Sequence, residues 1–238
     1  MTRRRWIADE VSGDRALLLG KNAEHLSRVL RARVGQQFEI ATPSGVRLGE
    51  IVEIEPQRIV FSTGDLLRFE VTKATLQIHL YLAIFKFDRL EWAVEKCTEL
   101  GVTSIFPVIA RRTDSHLVAA ARKRVERWRR IAREAAQQSR SEAVPRVEDP
   151  EKLDAVIATA QGKRIVLAET ERQLRFADAI GQASELSLAV GPEGGWTESE
   201  LNGFEQHQWA RASLGLTILR TETAAIGAIA IAQSVAGI

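Results

Sequence analysis

Two short loops near the end of this chain constrain its fold more than any other feature. Residues 191–195 read Gly-Pro-Glu-Gly-Gly, and residues 214–225 read LGLTILRTETAA. Each lies where an apolar, strand-like run gives way to a loop, and the second opens into a helix of small apolar residues. Ligands of open α/β sheets bind beyond the carboxyl ends of the strands. Glycine lets the backbone approach such a ligand closely. Two loops of this kind in one small α/β unit predict a single ligand pocket. A turn that merely reverses the chain needs fewer special residues than three glycines, a proline and a glutamate in five. The Gly-x-Gly-x-x-Gly spacing and the Gly-Lys-Ser/Thr ending are both absent, which argues against dinucleotide and Walker-type phosphate binding.

The patterning upstream supports an α/β unit. Apolar strand-like runs at 76–85, 104–110, 164–169, 186–191 and 211–214 alternate with helical spacing, as in a parallel sheet with helices on both faces. Asp88 and Glu91 predict a capping box for a helix that buries Leu90, Val94 and Cys97 and stops at Gly101. A long helix over 121–140 puts Val125, Trp128, Ile131 and Ala135 on its buried stripe. The terminal helix, with its body at 224–236 and Thr221 or Thr223 as cap, reads as buried on most sides, in a core or at a subunit interface. The first seventy residues differ. Strand-like segments at 15–19, 37–41, 45–54 and 58–63, with a helix over 23–30 capped by Asn22, suggest a compact barrel or sandwich. The domain boundary is expected near 68–74, and 238 residues suffice for one or two cores.

Charge is informative by its distribution, since the net value is only +2. Residues 1–35 hold eight basic and four acidic residues, and 111–146 hold eleven basic and four acidic. Nearly all of the latter cations are arginine, whose planar fork suits phosphate. These stretches read equally as salt-bridged faces or as a nucleic-acid surface. His25, Arg28 and Arg31 share one helical face, a pattern more common on solvated faces than on phosphate sites. The four histidines are scattered and the single cysteine, Cys97, lies on an apolar stripe, so no metal site and no disulfide is expected. No signal peptide or membrane span is evident, and a cytoplasmic location is expected. Arg220, between the two loops, is a cation expected near the pocket, salt-bridged to Glu193 or Glu222.

Five stretches in order resemble one family: HLSRVLRARVG, EKCTELGVTSIFPV, RWRRIAREAAQQSR followed by VPRV, VGPEGGWTESE, and LGLTILRTETA. Together they span nearly the whole chain. They are similar to the RsmE family of 16S ribosomal RNA uridine-N3 methyltransferases, members of the knotted SPOUT superfamily. The resemblance implies a PUA-like, RNA-binding β-barrel over 1–70 and a SPOUT α/β methyltransferase domain over 71–238 with a deep trefoil knot. It also implies S-adenosyl-L-methionine as cofactor, a homodimer, and 16S rRNA in the 30S subunit as partner. By motif, Gly191, Glu193, Gly194, Gly195, Leu214, Gly215, Leu219, Arg220, Thr221, Glu222, Thr223 and Ala224 correspond to the cofactor loops. Arg28, Arg31, Arg112 and Arg140 correspond to RNA-contacting candidates. Three positions depart from the family pattern: Gln137 replaces Glu, Trp196 replaces Phe, and Thr217 replaces a basic residue.

The implied reaction moves a methyl group from a sulfonium to N3 of a uracil, which must first lose a proton. Arg220 is the candidate for stabilising the uracil anion, and Glu193 or Glu222 the candidate proton acceptor. The target base must leave its stack to reach the pocket. A catalytically silent RNA-binding assembly factor and a 2′-O-ribose methyltransferase are the alternatives. Intact cofactor loops argue against the first, and the identity of the methylated product distinguishes the second. A dinucleotide enzyme is the weakest option.

Overall fold

The structure is a computed structural model that describes residues 5–67, 76–141 and 143–237, so the boundary expected near 68–74 lies outside the described residues. The chain forms two compact units, one of residues 1–72 with 136–143 and one of 73–135 with 144–238.

The first unit is a six-stranded sheet. Its strands are β1 (Trp6–Ile7), β2 (Glu10–Ser12), β3 (Arg15–Leu19), β4 (Gln37–Thr42), β5 (Gly45–Glu55) and β6 (Arg58–Leu66), in spatial order β1-β4-β5-β6-β3-β2. All pairs are antiparallel except β1 with β4. The register of β5 against β6 shifts twice, between Arg47 and Gly49 and between Ile51 and Glu53. Such irregularities bend and twist a strand, and the sheet curls into a half-barrel. β1 and β2 stand at the two ends of this strand order among the described residues. Trp6, Leu18, Leu26, Ile40, Ile51, Ile59 and Phe61 fill its core. Gly49 is required there, because a Cβ would sit 2.5 Å from Ile40 Cγ1.

The helix expected over 23–30 is instead a short α1 (Gly20–Glu24) running into a π-helical turn, His25–Val29. Asn22 does not cap it. Gly20, at φ +56°, turns the chain directly out of β3, which places Leu19 at the cap and Asn22 inside the helix. Residues 136–143 complete this unit. The Arg140 guanidinium lies 3.0 Å from Glu39, Arg5 lies 3.2 Å from the same carboxylate, and Arg5 also donates to the Arg140 carbonyl.

The second unit is a parallel α/β sheet. It runs β7 (Gln77–Ala83), α2 (Phe87–Glu99), β8 (Ser104–Ile109), α3 (Ser115–Ala121), a 3₁₀ turn at Arg122–Arg124 and α4 (Val125–Gln138). Then come β9 (Arg146–Val147), β10 (Glu151–Lys152), α5 (Leu153–Ile157), β11 (Lys163–Leu167) and α6 (Phe176–Ile180). The chain finishes with β12 (Glu185–Val190), α7 (Glu198–Gln206), β13 (Ala210–Ala212) and α8 (Thr221–Val235). The order is β10-β8-β7-β12-β11-β13, with β9 on β8, and every pairing is parallel. Successive strand residues face opposite sides. Ile78, Leu80 and Leu82 pack with α2 and α8, while Tyr81 and Ala83 pack with α5 and α7. Helices therefore cover both faces, as the alternating pattern predicts.

Three local expectations are corrected. The N-cap of α2 is Lys86, and no side chain caps it; Asp88 lies inside the first turn. Glu91 does not reach back, because Arg127 and Arg124 hold its carboxylate at 2.7 and 3.4 Å. The helix expected over 121–140 begins earlier and is interrupted, since apolar spacing does not separate a three-residue 3₁₀ turn from α-helix. α8 is capped by neither Thr221 nor Thr223: Arg220 holds the cap position, without a side-chain bond. α8 buries Thr221, Glu222, Ala225, Ala228, Ile229 and Ala232 along one stripe, and Thr223, Ala230, Ser234 and Val235 are exposed.

Candidate active site

The strand order of the second unit reverses between β7 and β12, since the chain proceeds outward from β7 on one side and returns through β11–β13 on the other. Such a switch point leaves a crevice at the carboxyl ends of the strands. A cavity of about 590 Å³ lies there. Its walls are the segments that leave β11 at Leu167, β12 at Val190 and β13 at Ala212, closed by the start of α8.

Of the residues expected at the cofactor loops, Gly191, Glu193, Gly195, Leu214, Gly215, Leu219, Arg220, Thr221 and Ala224 line this one cavity. Gly194, Glu222 and Thr223 do not. Gly194 packs against the stem of Arg112, whose guanidinium donates to the Gly194 carbonyl and reaches the Trp196 carbonyl at 3.5 Å. Glu222 is buried in the first turn of α8, and Thr223 is exposed.

The glycines relieve close contacts and an unusual backbone angle here. A Cβ on Gly191 would meet the Trp196 indole at 3.1–3.3 Å, and Gly195 has φ +69°. Trp196 makes edge contact with Phe204. Its indole Nε1 is buried, faces Gly191 and has no hydrogen-bond partner among the described residues. After the loop, Thr197 and Glu200 form a full capping box at the start of α7. The Glu200 carboxylate also accepts from the Arg111 amide at 2.8 Å, so one buried side chain ties the loop after β12 to the loop after β8.

The charges pair differently from the sequence expectation. Arg220 makes no ion pair with Glu193 or Glu222. Arg89, from the first turn of α2, lies 3.2 Å from Glu193 and 3.8 Å from Glu222. Arg220 is exposed on the cavity wall and makes no ion pair among the described residues. Glu193 is 42% exposed at its side chain and Glu222 5%.

Of the RNA-contacting candidates, Arg28, Arg31 and Arg140 belong to the first unit and Arg112 to the second. Arg28 is paired with Glu24 at 2.6 Å, while Arg31 and Arg140 both adopt positive φ. Cys97 is buried, and burial pushes its thiol up to about 12, as suits a core residue. No group of three or more potential metal ligands occurs among the described residues, and no helix there is long and apolar enough to cross a membrane. Residue-by-residue reading missed Arg89, Glu169 and Arg172, which line the cavity, and Glu200. The signal for Arg89 was its place at the start of the helix that leaves a strand at the switch point.

The RNA methyltransferase domain family matches residues 72–233. A ribosomal RNA small subunit methyltransferase E of Bacillus subtilis is 31% identical over 226 residues, 89% of this chain and 87% of that protein. The crystal structure of a Neisseria gonorrhoeae ribosomal RNA small subunit methyltransferase E bound to S-adenosyl methionine is 29% identical, with TM-score 0.83 over 97% of each chain. A putative methyltransferase of Legionella pneumophila, in complex with bound S-adenosyl methionine, is 28% identical with TM-score 0.82, over 97% of this chain and 96% of that one. With the cavity, its glycine-walled loops and this similarity along most of the sequence, the chain belongs to the ribosomal RNA small subunit methyltransferase E family.

Proposed function

We propose that the cavity binds S-adenosyl-L-methionine and that the protein methylates N3 of a uridine in 16S rRNA of the small ribosomal subunit. The observation that carries this reading is the cavity itself, walled by three loops at the carboxyl ends of adjacent parallel strands. Its lining fits an adenosyl sulfonium. Leu167, Leu214 and Leu219 offer apolar surface, and Gly191, Gly195 and Gly215 line the wall without side chains.

When bound, the cofactor supplies an electrophilic methyl group on a sulfur that leaves readily. The residues have to orient the base, take the N3 proton and balance the negative charge left on the uracil. Arg220 is assigned the last task, because its guanidinium is exposed on the wall and has no carboxylate partner among the described residues. Glu193 is assigned proton acceptance, because it lines the cavity where Glu222 does not. The first unit, read as PUA-like, would contact RNA through Arg28, Arg31 and Arg140, with Arg112 contributing beside the glycine loop. The trefoil knot and a homodimer in the cytoplasm complete the proposal. Leu216 and Ile218, 88% and 81% exposed on the cavity wall, support a partner that covers them.

The test is transfer of labelled methyl to unmethylated small subunits, followed by nucleoside mass spectrometry. The expected product is 3-methyluridine at one site. A 2′-O-methyl product would replace the base by the ribose as target, and cofactor binding without transfer to any RNA would favour an assembly factor. Arg220→Ala at saturating RNA and cofactor is expected to lose on the order of a hundredfold in kcat, as for loss of one anion-stabilising donor; wild-type turnover would remove Arg220 from its role.

A further inference from the structure

Three charged groups from three elements meet beside the cavity. Arg89 comes from the first turn of α2, Glu193 from the loop after β12, and Glu222 from the first turn of α8. A single nitrogen, Arg89 Nη1, lies 3.2 Å from Glu193 Oε1 and 3.8 Å from Glu222 Oε1. The other Glu222 oxygen, Oε2, is buried and has no hydrogen-bond partner among the described residues. A buried carboxylate so poorly satisfied is costly unless a cation faces it. An exposed pair such as Arg89–Glu193 contributes little to stability by itself. Joined through one guanidinium, however, the buried carboxylate anchors the cation and the cation anchors the loop.

We propose that Arg89 is a positioning residue of this site, sharing one guanidinium nitrogen between Glu193 and Glu222 so that the glycine loop and α8 are held as the two walls of the cofactor cavity. The inference rests on the reading of the cavity as the S-adenosyl-L-methionine site. Arg89 also lines the cavity, and the packing of its side chain must be separated from its charge. Arg89→Met keeps an apolar stem and removes the cation. Arg89→Lys keeps the cation. Because both carboxylates converge on one nitrogen, the planar fork is not required, and a lysine ammonium can serve as the shared point charge.

Calorimetric titration of the full-length protein with S-adenosyl-L-methionine, with a thermal melt of each variant, tests this. Arg89→Met is expected to weaken binding about tenfold or more and to raise the cofactor KM more than it lowers kcat. Arg89→Lys should recover binding to within about threefold of wild type. Glu222→Gln added to Arg89→Met should restore part of the loss, because a neutral amide no longer needs the cation. Wild-type binding in Arg89→Met, equal losses in the Met and Lys variants, or simple additivity of the Arg89 and Glu222 changes would each overturn the proposal. Glu193→Gln leaves the buried pair intact and decides the matter if Arg89→Met does not fold: several-fold weaker binding at unchanged melting temperature is expected, and an unchanged Kd refutes the tie. Failure of the wild-type protein to bind the cofactor would instead overturn the functional reading.

Discussion

Glu200 offers the sharpest test of how the glycine loop is held. Its carboxylate accepts from the Thr197 amide at 2.8 Å, the Thr197 hydroxyl at 2.7 Å and the Arg111 amide at 2.8 Å, and the residue is 4% exposed. Glu200→Ala removes all three acceptor contacts. Hydrogen bonds to a charged group contribute roughly 1.5–3 kcal/mol each. The hydroxyl can turn to another partner, which leaves the two amides, or roughly 3–6 kcal/mol. Arg111 is exposed and Thr197 half-buried, so water replaces part of this, and truncation also relieves the cost of burying a carboxylate. The net expectation is a loss of about 3 kcal/mol, or a melting temperature lower by about 6–12 °C for a domain of this size. Glu200→Gln, with one acceptor oxygen in place of two, should lose about half as much. Urea titration followed by circular dichroism measures the difference. A loss below about 1 kcal/mol for the alanine variant would refute the reasoning, since a surface cap alone accounts for that much.

Further outcomes follow from single contacts. Gly49→Ala forces a Cβ to within 2.5 Å of Ile40 Cγ1 and should destabilise the first unit by about 1–3 kcal/mol, read as a lower urea midpoint. Gly162→Ala combines φ +65° with a 2.5 Å approach to the Glu185 carbonyl oxygen, and should cost at least as much in the second unit. The Cys97 thiol, pushed up to about 12 by burial, should resist a thiol reagent at pH 8 in the native state and react fully in urea. The amides of Gln173 and Leu174 hold the Glu171 carboxyl below its ordinary value. A depressed folded-state pKa contributes stability above the unfolded value and loses it as pH falls through the folded one. Glu171→Gln should therefore be slightly less stable than wild type at neutral pH, and that difference should vanish in acid.

The sequence by itself determined what is carried by local chemistry. Strand alternation and apolar runs placed β3 to β8 and β11 to β13 to within a few residues, because side-chain periodicity is a local property. Glycine and proline marked the loop at 191–195, because backbone demands leave a compositional trace. Only the tertiary structure decided which charges meet. Arg89 stands 104 residues before Glu193 in the chain, and no spacing rule links them; the parallel crossover from β7 through α2 brings them together. The same holds for the caps. Asp88 and Glu91 have the spacing of a capping box, yet Arg127 offers Glu91 a nearer charge, while Thr197 and Glu200 form that box where spacing alone raised no claim. Local patterns state what a side chain is able to bond. Which bond forms depends on groups that folding delivers from elsewhere, and a charged partner at 2.7 Å outweighs a neutral amide.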